Sequence, residues 1–271
     1  MRLQDYLERI GYAGPVEPTL ACLRDVHRGH ALSIPYENLD VQLGVPVGLD
    51  PDAIYDKLVV RRRGGWCYEM NGLLQQALQA IGFDVRRVAG GVHRHETGDA
   101  AVGNHLVLLV DLDRTYIADL GLGDGLREPV PLAEGTYRQG PFTFRLEHVD
   151  DGYWRVWNRE GGDPEAFDFR EDRADENLLA RQCHRLQTSP ESGFVLNLAC
   201  QRMALDGVTI LQGRVLTRVT PDGRTKQLLD SADELEATLA REFGIAGVDV
   251  AVLWPKVVAR HEALFGTPDP A

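Results

Sequence analysis

A chain of 271 residues with 44% hydrophobic and 26% charged side chains can bury a substantial core, which excludes a disordered chain and a disulfide-stapled miniprotein. Its 29 basic and 41 acidic residues leave a formal charge of −12, which argues against a nucleic-acid platform and requires any anionic ligand to find a local positive pocket. Cys22, Cys67, Cys183 and Cys200 are far apart with no C-x-x-C pair, no apolar run is long enough for a bilayer, and the opening residues lack a secretory leader's apolar stretch, so a reducing cytoplasm is expected.

The first third reads helical. Leu3, Tyr6, Leu7 and Ile10 form one apolar stripe, and Leu20, Leu23 and Val26 form a second that ends before Pro35. The clearest helix follows, with Met70, Leu73, Leu74, Ala77, Leu78 and Ile81 recurring at threes and fours and Gly82 as the stop. Cys67 lies one turn earlier, at the helix start and facing inward. After Gly82 the period moves towards two, predicting strands over 85–92, 106–110, 116–120, 142–146 and 154–157 in an antiparallel sheet or barrel. Beyond these, a short helix over 178–186, strands near 208–216, a turn at Pro221-Asp222-Gly223 and helices over 232–243 and 255–265 are expected. Helical, then mostly strand, then mixed elements make an α+β chain in three parts.

Cys67 follows Gly64-Gly65-Trp66, and a thiolate at a helix amino terminus is favoured by the macrodipole and the free N–H groups. Arg61, Arg62 and Arg63 add positive charge, and together these features are expected to lower the thiol pKa towards neutrality. Placement alone leaves two readings open, a nucleophile or a small buried hydrophobe. The other three cysteines read as core. A nucleophile needs a base, and the base an orienting group. His105 opens an apolar strand, and Asp119 lies in the next. A three-residue loop of Asp111 to Asp113 would place His105 opposite Asp119 on one face, although a lone histidine here also fits a core or surface position. His93 with His95 on a strand, and His27 with His30 on a helix, have metal-like spacing but no convincing further ligands, so no metal is expected. Gly121-Leu122-Gly123-Asp124-Gly125 lets backbone approach a ligand closely, yet is neither a Rossmann nor a Walker A motif.

Arg63-Gly64-Gly65-Trp66-Cys67-Tyr68-Glu69-Met70-Asn71 resembles the R-G-G-x-C-x-E-x-N signature of the arylamine N-acetyltransferases. Ile34-Pro35-Tyr36-Glu37-Asn38-Leu39 is similar to that family's I-P-F-E-N-L segment, and the stretch 116–123 to its strand ending in D-V-G-F-G. The resemblance implies a cysteine-proteinase-like (transglutaminase-like) α+β fold: a helical bundle over 1–84 carrying the cysteine, an antiparallel β-barrel over 85–190 carrying His and Asp, and an α/β lid over 191–271. It implies a Cys67, His105 and Asp119 triad moving acetyl from acetyl-CoA, a co-substrate and not a permanent cofactor, to an aromatic amine or hydrazine through an acetyl-cysteine. Gly121 and Gly123 would face the donor, and Tyr36, Trp66 and Leu122 the substrate, with no nucleic-acid or membrane partner and either a monomer or a homo-oligomer. Leu122 replaces a frequent aromatic residue, and Asp124 adds a charge, so acceptor choice is open. A different acyl donor, a cysteine hydrolase of the same architecture and a binding module with a structural Cys67 are the rival readings. Glu37 and Arg63 are either a buried ion pair or two separate surface charges.

Overall fold

The computed structural model describes residues 1–266, so the last five residues of the expected 191–271 segment lie outside the described residues. The expected stripes become the helices Leu3–Ile10, Leu20–Ser33 and Cys67–Ile81, the last stopped by Gly82 in a left-handed conformation at φ 108°. The Cys67–Ile81 helix is buried on all sides over its first eight residues, so its sequence stripe marks only the most apolar of several buried faces.

An antiparallel sheet of eight strands runs in the order Val130–Pro131, Thr115–Ile117, His105–Asp111, Asp84–Val92, Ala166–Arg173, Tyr153–Trp157, Phe142–Val149 and Gly135–Gln139. Its two edge strands approach each other, with the Tyr137 hydroxyl donating to the carbonyls of Pro131 and Ala133, so the sheet curls into a nearly closed barrel. Along His105–Asp111, Leu106, Leu108 and Val110 join a core shared with the Cys67–Ile81 helix. Val107 and Leu109 join a second core with Phe167 and Phe169. Burial on both faces explains why that strand has no polar alternation. A smaller sheet orders Tyr36–Glu37, Ala199–Met203, Val208–Gln212, Val215–Thr220 and Gly223–Leu228, and the Ala232–Phe243 and Val250–Phe265 helices share its core.

Several boundaries differ from the sequence reading. The expected strand over 116–120 ends at Ile117, and the 178–186 helix is longer, Glu176–Thr188. The final helix begins at Val250, five residues before Pro255, because the Asp249 side chain caps it at Val252 N–H and Leu253 is buried. Packing there overrides the preference of proline for a first turn. His93 is not on a strand: it takes a left-handed conformation before the short Arg94–Thr97 helix. The strands Gly135–Gln139 and Gly223–Leu228 gave no apolar signal because they are sheet edges with mostly exposed or half-buried side chains.

Candidate active site

Cys67 is the first residue of its helix, and the turn before it is fixed from below. The Glu69 carboxylate accepts the Trp66 backbone N–H at 3.2 Å, and both its oxygens take Lys57 Nζ at 2.9 and 3.0 Å. Lys57 also meets Asp40 at 2.8 Å, and Arg63 meets Glu37 at 2.8 Å and Asp40 at 3.1 Å. Glu37 and Arg63 therefore form the buried pair of the two readings, extended by Asp40, Lys57 and Glu69 into a network of two cations and three carboxylates. Burial pushes Glu69 up to about 7 against the pull of Lys57.

This network also corrects the expectation for the thiol. Arg63 is spent on Glu37 and Asp40, and Arg61 on Asp56 at 2.8 Å, so the charge of these two arginines is matched by carboxylates and not left for the sulfur. Burial pushes the Cys67 thiol up, and the backbone N–H groups of Leu106 and Tyr68 oppose this without reversing it. Burial therefore disfavours the bare thiolate, and the sulfur needs a base. Sγ lies 3.9 Å from the Asn104 carbonyl, in a loop held to the same helix by the Tyr68 hydroxyl donating to Gly103 at 2.6 Å.

His105 Nε2 and Asp119 Oδ2 are 3.1 Å apart, both nearly fully buried. The register that brings them together is not the expected one. Val110 pairs with Tyr116, not Arg114, so the loop between the strands is Leu112-Asp113-Arg114 and the ladder is shifted by two residues. A shift of two preserves the face, and Asp119 reaches His105 from the segment just beyond the strand. Asn71, one turn along the helix from Cys67, locks that segment: its Nδ2 donates to Asp119 Oδ1 at 2.5 Å and to the Leu106 carbonyl at 2.6 Å, while its Oδ1 accepts the Leu120 N–H at 2.8 Å. Burial alone would raise Asp119, but His105 and the hydrogen bonds from Asn71 and the Gly121 N–H hold it below the ordinary carboxylate value. Sequence reading carried Asn71 as part of a signature without a role. Its three hydrogen bonds give it one.

Cys67 and His105 line one cavity of about 360 Å³, together with Tyr36, Gly121, Leu122 and Phe194. Gly121 fills the gap between thiol and imidazole: a Cβ there would collide with His105 Cε1 and stand 2.8 Å from Cys67 Cβ. Gly123 also lines the cavity, where a Cβ would stand 2.6 Å from Gln201 Cβ. Trp66 is buried behind this wall and touches Phe194 edge-on at 5.0 Å between ring centroids. Phe194, which sequence reading did not single out, faces the cavity instead. Asp124 is buried against Arg159 at 2.6 Å and Asn158 at 2.9 Å, so its charge is matched locally. His27 and His30 are both fully buried, and His30 Nδ1 lies 3.0 Å from the Tyr6 hydroxyl. His95, Glu96 and Glu165 bring ligand atoms within 4.8 Å of one another, but both carboxylates are exposed, as acidic surface groups commonly are.

A cysteine at a helix start sharing a cavity with the histidine of a histidine–carboxylate pair carried by a curled antiparallel sheet is the arrangement of the transglutaminase-like enzymes. The N-acetyltransferase family profile matches residues 19–251. The arylamine N-acetyltransferase of Mycobacterium tuberculosis is 35% identical over 257 residues, covering 92% of this chain and 90% of its own. Human arylamine N-acetyltransferase 1 is 33% identical over 298 residues, 98% of this chain and 100% of its own. The solved structure of the Mycobacterium marinum arylamine N-acetyltransferase in complex with CoA superposes with a TM-score of 0.84 at 34% identity, covering 96% of this chain and 98% of that one. The chain belongs to the arylamine N-acetyltransferase family and is an enzyme of that class. Among the described residues no helix is long and apolar enough to cross a membrane.

Proposed function

We propose that this enzyme moves an acetyl group from acetyl-CoA to the nitrogen of an aromatic amine or hydrazine, with Cys67, His105 and Asp119 as the catalytic residues. The observation that carries the reading is the opening of Cys67 and the Asp119-paired His105 onto one cavity. Because Nε2 of His105 is taken by Asp119, Nδ1 is the nitrogen left for the thiol. His105 takes the thiol proton, giving a thiolate–imidazolium pair held by Asp119, and the sulfur attacks the thioester carbonyl. The C–S bond to CoA then breaks, and His105 returns the proton to the departing CoA sulfur. The amine attacks the acetyl-cysteine, gives its proton to His105, and Cys67 leaves as the thiol. Asp119 holds the imidazole and its transient charge. Backbone N–H groups of the helix start are the donors for the tetrahedral oxyanion.

Exchange of one thioester for another is nearly balanced in energy, which suits a two-stage reaction with one shared cavity. Gly121 and Gly123 leave room for the donor's acyl arm beside the thiol. Tyr36 and Leu122 face the acceptor, and Trp66 serves it indirectly by backing Phe194. The division into 1–84, 85–190 and 191–271 assigns the thiol to the first part and its base to the second, the last carrying the smaller sheet's strands beyond Tyr36–Glu37. Four free cysteines suit a reducing cytoplasm.

Intact-mass measurement after mixing with acetyl-CoA tests the reading. One acetyl adduct is expected on the wild type, none on Cys67→Ala, and release of the adduct when an aniline or hydrazine is added. No wild-type adduct, or an undiminished one in Cys67→Ala, would falsify the triad. Discharge at the same rate in buffer without amine would make the enzyme a hydrolase.

A further inference from the structure

The segment that leads into the short Leu39–Leu43 helix, and the helix itself, make two sets of polar contacts. Glu37 and Asp40 meet the cations beneath the Cys67 turn. Asn38 and Gln42, four residues apart, reach instead to the short Gly193–Leu196 helix that carries Phe194. We propose that Asn38 and Gln42 are positioning residues for the acceptor: they hold Phe194 in place relative to Cys67, and through Phe194 they decide how well an aromatic ring is seated for the second stage. The proposal rests on the acetyl-transfer reading above and adds a specificity determinant to its acceptor side.

The contacts are those of a clamp. A helix of four residues cannot satisfy its own last carbonyls. Asn38 Nδ2 donates to the carbonyls of Phe194 at 3.0 Å and Asn197 at 2.8 Å, and Gln42 Nε2 to those of Phe194 at 2.6 Å and Val195 at 3.0 Å. The Phe194 carbonyl thus takes two donors, one for each lone pair. Asn38 Oδ1 accepts the Ala199 N–H at 2.8 Å, so both ends of its amide are used and its orientation is fixed. Both residues are buried, where a lost partner leaves a polar atom unsatisfied.

Phe194 and Val195 are half-buried against the helical core, while Gly193 and Leu196 are exposed, so apolar packing holds only part of this turn. The Phe194 ring meets Trp66 edge-on and lines the catalytic cavity with Cys67 and His105. That contact orients the ring, and the clamp on the backbone fixes where the ring starts. An aromatic acceptor packs against such a ring, so a small shift of Phe194 moves the acceptor's nitrogen relative to the acetyl-cysteine. Gln42 is not among the residues that line this cavity, so its effect on the acceptor passes through Phe194. The 37–42 segment therefore gives the thiol's turn and the Phe194 turn one common anchor.

Two-stage kinetics separate this role from a merely structural one, because kcat/KM for acetyl-CoA reports acetylation of Cys67 and kcat/KM for the amine reports its discharge. Gln42→Met keeps the side chain's length and removes both donors. It is expected to raise KM for an aniline about tenfold, the worth of one or two hydrogen bonds, with little change in kcat. Cys67 acetylation followed by intact mass should stay within about twofold of wild type, as should discharge by hydrazine itself, which has no ring to seat. Asn38→Asp, which keeps the acceptor for Ala199 and loses the donor, should show the same split. In a Phe194→Ala background, Gln42→Met should cost nothing further. Equal losses with aniline and hydrazine, a loss in the acetylation stage, or an undiminished effect without the Phe194 ring overturns the proposal while the acetyl-transfer reading stands. A wild-type chain that is not acetylated at Cys67 refutes that reading, and the assignment of Asn38 and Gln42 to the acceptor falls with it.

Discussion

Gly121 shows how much of this site is decided by single atoms. It is the residue between His105 and Cys67, and its N–H also donates to Asp119 at 3.1 Å. Adding one methyl forces the imidazole or the helix start to move, and displacements of this order strongly affect a reaction that depends on near-attack geometry. We expect Gly121→Ala to lower kcat/KM by about 100-fold while costing about 1–3 kcal/mol of stability. Steady-state kinetics with parallel urea unfolding would check both, and a variant of wild-type activity would show that the gap is not needed. Sequence reading placed the glycine near the donor, and its nearest side-chain neighbours are His105, Cys67 and Asn71.

At the scale of the element, the Cys67–Ile81 helix presents the thiol, anchors the Asp119 segment through Asn71 and rests its first turn on a buried charge network. Asn71→Ala would take the partner from the Leu120 N–H and leave Asp119 Oδ1 with the Gly121 N–H alone of its two donors, at a cost of about 1–3 kcal/mol. Its kcat is expected to fall with little change in KM, because the variant loosens the base's orienting group and leaves the cavity wall intact. The charge network beneath is testable by a cycle. Lys57→Met removes the cation between Asp40 and Glu69 and is expected to cost about 3–5 kcal/mol. The Lys57→Met/Glu69→Gln double variant should recover part of that loss, since one buried carboxylate is then neutral. Additive effects in urea melts would mean that the two groups do not interact.

For the whole molecule, burial sets the response to acid through groups of opposite sign. His27 is pushed down to about 4 by burial, so between about pH 6.5 and 4 the unfolded chain binds a proton that the folded one does not. That contribution to stability is lost as pH falls through this window, and His30, also held low by burial, acts in the same sense. Glu69 does the reverse. Its folded value is raised to about 7, so its contribution is full below the unfolded value of about 4.5 and is lost as pH rises through 7. Each group changes stability by up to about 1.4 kcal/mol per pH unit inside its window. In Glu69→Gln the opposing contribution is gone, and urea midpoints should fall more steeply from pH 7 to 4.5 than in the wild type. Superimposable profiles would show that Glu69 does not titrate there.

The sequence by itself determined the helix carrying Cys67, the strands around His105, the α+β class and the three triad candidates. Apolar periodicity and glycine stops are local signals, and the quoted signature is contiguous. It could not fix the two-residue register, because only the face, not the partner, is written in strand alternation. It left out what burial does to the thiol, because helix dipoles and neighbouring arginines are visible in sequence, while desolvation and the carboxylates that pair with Arg61 and Arg63 emerge only on folding. The place of Phe194 in the cavity wall and the bridging role of Asn71 belong to tertiary structure alone. Each depends on side chains separated by many residues meeting at one place, and that distance is closed only when the cores pack.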